Sequence, residues 1–340
     1  MTVSNYTPND HLRFSSILSA SVAVFEEGPF KDLKCRWAGL SKDFSGIEHD
    51  PHLNYDMLQH ITITEGLPRP DKIVWYEKPW LKSLRQLQAG QGWLFGENNI
   101  KRYLSKWNLY QPIKYVRHHR AHAAYGYYTS GLENATIICL DSIGEYETFT
   151  VWMGEGNKLK QIYSQSYPHS VGLFYSAMTQ RLGLQANRDE YLVEPMGRDI
   201  STQENLQLVN DMIETFIQDP LDGSVPGVKF KHNLHKGANW YKPELYTKND
   251  MSRLANATQF VFELMVKSTS KWCLKTLPSH NLILTGGCAL NKVAVDGIRK
   301  NWANIYVPKN PGDPGSCVGA VLALNNKHID FDDKIWYNKV

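Results

Sequence analysis

The sequence is short of the features by which several protein classes declare themselves. It has no run of eighteen apolar residues, so no membrane-spanning helix is expected. Five cysteines (Cys35, Cys139, Cys273, Cys288 and Cys317) are scattered, odd in number and without a CxxC pair, which argues against a disulfide framework and against a thiolate zinc site. The opening residues Met1 to Tyr6 lack a basic head and an apolar core, so no secretion signal is read, and a cytoplasmic chain with buried thiols is expected. Neither a GxxxxGK[ST] loop nor a GxGxxG turn occurs. A surplus of one charge is missing too. The formal net charge of +3 excludes a general polyanion binder but leaves room for a local basic patch. No internal sequence repeat and no low-complexity tract is visible.

What is present is ordinary globular material. Hydrophobic residues make up 42% and charged residues 21%, and 340 residues suffice for a two-lobed fold or two domains. Residues 21–25 read as a strand opening a hairpin at Glu26-Glu27-Gly28, residues 72–76 and 113–116 as further strands, and 96–107 as a helix. The near-continuous apolar run 135–140 predicts a strand buried on both faces. It ends in the polar turn Asp141-Ser142-Ile143-Gly144-Glu145, and 148–153 closes a hairpin with it. Helical periodicity is present at 172–184 and 205–217. It is clearest at 253–275, where Leu254, Ala257, Val261, Leu264, Ser268 and Trp272 form one stripe. Then come a strand at 281–284, the turn Gly286-Gly287, a helix at 289–299, a strand at 305–307 and a small-residue helix from about Cys317 to Asn325. Strand, glycine turn and helix recur, which predicts an α/β fold. Residues 219–248, rich in Gly, Pro and Lys, read as an excursion from the core.

The chemistry-bearing residues begin with His118-His119-Arg120-Ala121-His122. On a helix, His118 and His122 present two imidazoles on one face, a turn apart, as a metal requires. Surface or core histidines are the alternative. Carboxylate co-ligands are at hand: Asp141 ends the buried strand, and Asp313 sits in the rigid turn Pro311-Gly312-Asp313-Pro314-Gly315. Each aspartate alone could equally cap a turn. Two imidazoles with two carboxylates suit Fe(II), Mn(II) or Zn(II). Two glycine turns, one at Ser142 to Glu145 and one at Gly286-Gly287, each follow an apolar strand, and their N–H groups could hold a phosphate. Glu190, in Asn187-Arg188-Asp189-Glu190-Tyr191, could bind a ribose or act as acid or base, with a solvated turn as the alternative. Within the excursion, Lys229, Lys231, Lys236, Lys242 and Lys248 interleave with Phe230, Trp240, Tyr241 and Tyr246. These are the elements of a phosphate-and-base surface, or of a plain lysine-rich loop.

Together these residues resemble the N-terminal domain of the O-carbamoyltransferase family, which includes nodulation-factor, aminoglycoside and cephem carbamoyltransferases. That domain is itself similar to the tRNA threonylcarbamoyl-transfer proteins. The likeness covers roughly residues 115–323 in four ordered blocks: VRHHRAHAAYGYYTS; ICLDSIGEYETFTVW; YPHSVGLFYSAMTQRLGL with RDEYLVEPMGR; and LILTGGCALN with VPKNPGDPGSCVGAVLAL. The resemblance implies an actin/hexokinase-like (ASKHA) nucleotide-binding fold of two α/β lobes. The first lobe would span 1–134, completed by about 305–340, and the second 135–304, with a basic insertion at about 219–250. It implies His118, His122, Asp141 and Asp313 as metal ligands, with Fe(II) the first expectation and Mn(II) or Zn(II) the alternatives. Ser142, Gly144, Glu145, Gly286, Gly287 and Asn291 would face the nucleotide. His119 and Glu190 are the expected catalytic groups. An acceptor hydroxyl would attack the carbamoyl carbon of carbamoyl phosphate, or of a carbamoyl-adenylate made from ATP, with the metal as Lewis acid.

Three departures from the family pattern accompany this reading. Relatives open with a His-Asp pair where Leu18 and Ser19 stand here, and His11 is the nearest substitute. The usual EYKVMG reads EYLVEPMG. The chain ends at Val340, leaving no room for the family's carbamoyl-adenylate-forming C-terminal domain, so a separate carbamoyl-activating protein or direct use of carbamoyl phosphate is expected. The acceptor is open. The basic excursion favours a hydroxymethylated nucleobase in DNA, against a sugar or antibiotic hydroxyl, tRNA threonylcarbamoyl-type transfer, or a non-catalytic nucleotide- and metal-binding module.

Overall fold

The computed structural model describes residues 2–4 (as backbone), 20–28, 32–92 and 98–338. Leu18, Ser19 and His11 lie outside them. The chain opens with β1 (Thr2–Ser4), β2 (Ser21–Glu27) and β3 (Leu33–Leu40). Two short helices, α1 (Lys42–Ser45) and α2 (Tyr55–Gln59), lead to β4 (Ile73–Trp75), α3 (Pro79–Gln88), α4 (Ile100–Ser105), β5 (Ile113–Tyr115) and α5 (His118–Thr129). There follow β6 (Asn134–Leu140), β7 (Glu147–Glu155), β8 (Lys158–Ser166), α6 (Val171–Arg181), α7 (Val193–Gly197) and α8 (Leu206–Phe216). The last part holds α9 (Lys248–Thr276), β9 (Asn281–Thr285), α10 (Lys292–Arg299), β10 (Asn304–Tyr306) and α11 (Ser316–Asn325).

These strands form two five-stranded sheets, ordered β3-β2-β1-β4-β5 and β8-β7-β6-β9-β10. In each sheet the first three strands form an antiparallel meander, and the fourth and fifth join parallel to the first. One strand order therefore occurs twice in a chain whose sequence shows no repeat. This duplicated α/β lobe is the actin/hexokinase-like architecture.

The lobes meet along α5 and α11. α5 packs on β6, β7 and β9, α11 packs on β1, β2 and β4, and the two helices lie against each other. Neither has a polar outer face, and eleven of the twelve α5 residues are buried, as expected of a helix enclosed on all sides. Small residues permit the approach. A Cβ on Gly319 would fall 1.9 Å from the Ala121 carbonyl oxygen, and one on Gly126 would meet Ile283 and Thr285 at 2.6 Å. Among the described residues no helix is long and apolar enough to cross a membrane. Cys35, Cys139, Cys273 and Cys317 are buried free thiols, and Cys288 is half-buried.

Most elements fall where the sequence puts them, with shifted ends. The stripe at 253–275 extends to the 29-residue α9, which starts at a Thr247–Asp250 capping box. The helix expected at 289–299 begins only at Lys292, because residues 287–290 form a 3-10 turn and the Asn291 side chain caps α10. Of the helix expected at 96–107, the structure describes α4, while 93–97 lie outside the described residues.

The excursion is the main correction. Residues 219–248 do not leave the core: Val228, Phe230, Leu234, Ala238 and Tyr241 are buried in it. Phe230 stacks on Phe174, and Tyr241 meets Phe216 edge-on. The Arg181 guanidinium pins the segment by donating to the carbonyls of Tyr241, Lys242 and Leu245 at 2.7, 2.5 and 2.8 Å. Lys242 pairs with Asp211 at 2.8 Å, and Lys231 donates to the Glu214 carbonyl at 2.6 Å. Of the four aromatics, Trp240 and Tyr246 are exposed.

Candidate metal centre and interlobe cleft

Three chain segments converge where the lobes meet. α5 begins directly after β5, and its i, i+4 spacing stacks His118 and His122. Asp141 stands at the end of β6, and Asp313 at the turn that opens α11. One ligand atom from each of the four lies within 4.8 Å of all the others, and all four side chains are buried. His118 Nε2 is 3.0 Å from Asp141 Oδ2, 3.3 Å from Asp313 Oδ1 and 3.0 Å from His122 Nε2. His122 Nε2 is 3.3 Å from Asp313 Oδ1 and 3.8 Å from Asp141 Oδ2.

Two features of this cluster fit a cation. Asp313 Oδ1 is buried, close to both imidazoles, yet makes no directed hydrogen bond. The two Nε2 atoms face each other, an arrangement that a shared positive centre satisfies better than one proton between them. Two carboxylates balance a divalent charge, and the mixed imidazole and carboxylate set suits Fe(II), Mn(II) or Zn(II). The supporting contacts orient the ligands. Ser316 Oγ is 3.2 Å from His122 Nδ1, the Tyr76 hydroxyl donates to Asp313 Oδ2 at 3.2 Å, and the Gly287 N–H donates to Asp141 Oδ1 at 3.3 Å. Burial alone would lower the His118 pKa, but Asp313 and Asp141 outweigh it and hold it well above the usual imidazole range. The same pairing holds both carboxylates below their ordinary range despite burial.

The centre floors a cavity of about 570 Å³ between the lobes, a size suited to a small-molecule ligand. His118, Asp141 and Asp313 line it, as do Ser142, Gly287, Asn291 and Glu190. Glu190 accepts from Ser176 Oγ at 2.7 Å and from the Asn187 N–H at 2.5 Å, which fixes its carboxylate in the wall. Asn291 exchanges hydrogen bonds with Gln259 at 2.8 and 3.1 Å.

Other expected site residues stand behind that wall. The Glu145 carboxylate accepts the backbone N–H groups of Lys78 at 2.5 Å and His118 at 3.1 Å, so it caps α5 instead of facing a ligand. Burial, with Glu77 nearby, pushes its pKa up to about 7. Gly144 is a point of close approach, where a Cβ would sit 3.0 Å from the His118 ring. Gly286 has φ 86°, and a Cβ there would meet the Leu140 carbonyl oxygen at 2.1 Å. His119 is rotated away from its neighbours. It is fully buried, with Nδ1 3.0 Å from Thr150 Oγ1 on β7, and burial holds its pKa down to about 3. The Trp152 indole donates to the same Thr150 oxygen at 2.8 Å.

The first-lobe wall was not anticipated. Tyr76, Glu77, Arg85, Gln91 and His49 line the cavity, and His235 and Leu234 reach it from the excursion. Glu77 pairs with Lys82 at 2.9 Å, both nearly buried. The available signal was the position of Tyr76-Glu77 at the carboxyl end of a strand, where α/β sheets present side chains to ligands.

Comparison with known proteins follows the same lines. Residues 75–322 match the family described as carbamoyltransferase N-terminus. An uncharacterized protein of Synechocystis sp. is 28% identical across 78% of this chain and 49% of its own length. The nodulation protein NolO of Bradyrhizobium diazoefficiens is 24% identical across 62% of this chain and 38% of its own. The chain thus spans about half or less of the length of these relatives. Full-length HypF, crystallised in a phosphate- and nucleotide-bound form, aligns with 90% of this chain and 55% of its own at 12% identity and a TM-score of 0.43. Through the match over most of its length, the chain belongs to the carbamoyltransferase N-terminus family.

Proposed function

We propose that the protein is a metal-dependent O-carbamoyltransferase, moving a carbamoyl group from carbamoyl phosphate or carbamoyl-adenylate to a hydroxyl acceptor. The observation that carries this reading is the four-residue cluster His118, His122, Asp141 and Asp313, at the floor of an interlobe cavity in a chain of the carbamoyltransferase family. These four residues would hold a divalent metal, with Fe(II) ahead of Mn(II) and Zn(II), which when bound supplies Lewis acidity toward a carbamoyl or phosphate oxygen. The rest falls to the chain's own groups. Tyr76, Ser316 and the Gly287 N–H orient the ligands, and Glu190 and Asn291 offer fixed polar contacts to a nucleotide or acceptor. The division into a first lobe of 1–134 completed by 305–340 and a second of 135–304 remains part of this reading. It is supported by the packing of α11 on β1, β2 and β4.

A hydroxymethylated nucleobase in DNA now has less support as the acceptor than the sequence lent it. Phe230 and Tyr241 are buried, and Lys231 and Lys242 are engaged locally, so the basic surface offers fewer free contacts. A cavity of about 570 Å³ suits a small hydroxylated molecule.

The test is incubation with carbamoyl phosphate, ATP and Fe(II) against a panel of acceptors, read by mass spectrometry for the gain of one carbamoyl group. The panel comprises a hydroxymethylated pyrimidine nucleoside, free and in DNA, an aminoglycoside, a methyl hexoside and unmodified tRNA. One arm adds a carbamoyl-activating protein. Metal content is measured in parallel: we expect about one divalent ion per chain in the wild type and a drop of at least about tenfold in affinity for His118→Ala. A metal-free wild type, or no carbamoylated product in any arm, would defeat the proposal.

A further inference from the structure

Transfer of a carbamoyl group to a hydroxyl releases a proton, and this requires a base in the cavity. Of the two groups expected for such work, Glu190 is tied to Ser176 and Asn187 and His119 is unsuited to it. His119 is buried against Thr150, and His118 and His122 are turned into the metal cluster. His235 lines the cavity, but burial and Arg85 push its pKa down to about 4, which makes it a poor proton acceptor.

The cavity has one further imidazole. His49 lines it from the first lobe, half-buried, and among the described residues its ring has no hydrogen-bond partner. It stands in a left-handed backbone conformation with φ 58°, which is uncommon outside glycine and is retained where the surroundings impose it. Those surroundings are specific. The Asp50 carbonyl accepts the Ala20 N–H at 2.7 Å, the Asp50 carboxylate accepts the His52 N–H at 3.0 Å, and the Tyr103 hydroxyl accepts the Leu53 N–H at 2.9 Å. The Asn54 side chain then caps α2 at 2.8 Å and also donates to the Ser41 carbonyl at 3.2 Å. A loop tied down by these bonds holds at the cavity wall an imidazole that is free of hydrogen bonds and stands apart from the His118–His122 cluster.

We propose that His49 is the general base of the transfer reaction, a role that rests on the carbamoyltransferase reading above. The acceptor oxygen forms its bond to the carbamoyl carbon as its proton passes to the free nitrogen of His49. The bond from carbamoyl carbon to phosphate oxygen breaks, and phosphate (or AMP, from the adenylate) leaves with the electron pair. The imidazolium then returns its proton to water, so no oxidant or further reactant is needed.

The clean variant is His49→Asn, since asparagine tolerates the left-handed conformation and should leave the loop intact. With carbamoyl phosphate as donor in the presence of ATP, and the hydroxymethylated pyrimidine nucleoside and methyl hexoside as acceptors, kcat should fall by roughly 100-fold or more while the donor KM stays within about twofold. Added imidazole should restore part of the rate, and the melting temperature and metal content should match wild type. A kcat within about threefold of wild type would overturn the assignment while leaving the carbamoyltransferase reading standing, as would a loss that imidazole does not relieve. A wild type that carbamoylates neither of these acceptors nor any other in the panel above would overturn both.

Discussion

The two sheets share one strand order but furnish the cleft in opposite ways. At the end of β4 the first lobe presents side chains, Tyr76 and Glu77, backed by the buried Lys82 and Arg85 of α3. At the equivalent end of β9 the second lobe presents backbone. Gly286 admits no side chain against Leu140, and its N–H donates to the Pro311 carbonyl at 2.8 Å, drawing the 311–315 turn alongside. The fifth strands behave alike: β5 runs into His118 and α5, and β10 runs through Asp313 into α11. The His/Asp cluster thus belongs to the part of the fold that is duplicated. The charged wall, which would choose a substrate, belongs to the part that differs.

The symmetric half of this comparison is broken most severely at the helix pair. A Cβ on Gly319 would lie 1.9 Å from the Ala121 carbonyl oxygen, and backbone cannot yield as a flexible side chain can. Gly319→Val should therefore cost about 3 kcal/mol or more in urea unfolding, as overpacked interiors do, and metal binding should weaken with it because α5 carries His118 and His122 and α11 follows directly on the Asp313 turn. Wild-type stability together with full metal occupancy would show that the helices do not depend on this approach.

The same division explains what the sequence disclosed. His118 and His122 were legible because helical spacing is a local property, and Asp141 because it ends an unmistakable apolar strand. His119 was misjudged for the complementary reason: one residue along a helix is about a quarter-turn around it, and the ring points at β7 instead of the cleft. Glu145 looked like a ligand-facing turn residue, but its two backbone partners lie at positions 78 and 118, which no local pattern relates to it. The first-lobe wall was hidden most thoroughly. α3 buries Lys82, Ser83, Arg85 and Gln86 while exposing Trp80, Leu84 and Leu87, the reverse of the apolar-inward rule by which helix faces are read. β8 went unread because its residues alternate with many polar side chains at a sheet edge. The duplication itself could be seen only in topology.

That inverted helix gives the next test, aimed at the asymmetric half. Glu77 and Lys82 are 2.9 Å apart with side chains 8% and 5% exposed, so neither charge is well hydrated. Glu77→Gln removes the negative partner and should cost about 2–4 kcal/mol, whereas exposed pairs such as Arg299–Asp296 should contribute under about 1 kcal/mol. Double-mutant cycles at both pairs, by chemical denaturation, would measure the contrast. Equal coupling energies would remove the argument that the first-lobe wall is a specialised, desolvated charge array.

The smallest effect expected lies where the excursion meets that wall. Burial, and then Arg85, lower the His235 pKa to about 4, against the ordinary imidazole value of 6.5. The folded state therefore binds fewer protons than the unfolded state between those values, and stability rises with pH across that interval. The contribution of neutral His235 is complete above about pH 6.5 and is lost as the pH falls toward about 4. Because the residue is partly exposed, screening reduces the effect to roughly 1–2 kcal/mol. His235→Gln keeps the shape and removes the titration. Unfolding by urea at about pH 7.5 and about pH 4.5 should find the variant less acid-sensitive than wild type by that amount, and titrations elsewhere, the His118–Asp313 cluster included, cancel between the two proteins. Parallel stability curves would mean that His235 stays hydrated in the folded state, and that the excursion does not close against the Arg85 side of the cleft.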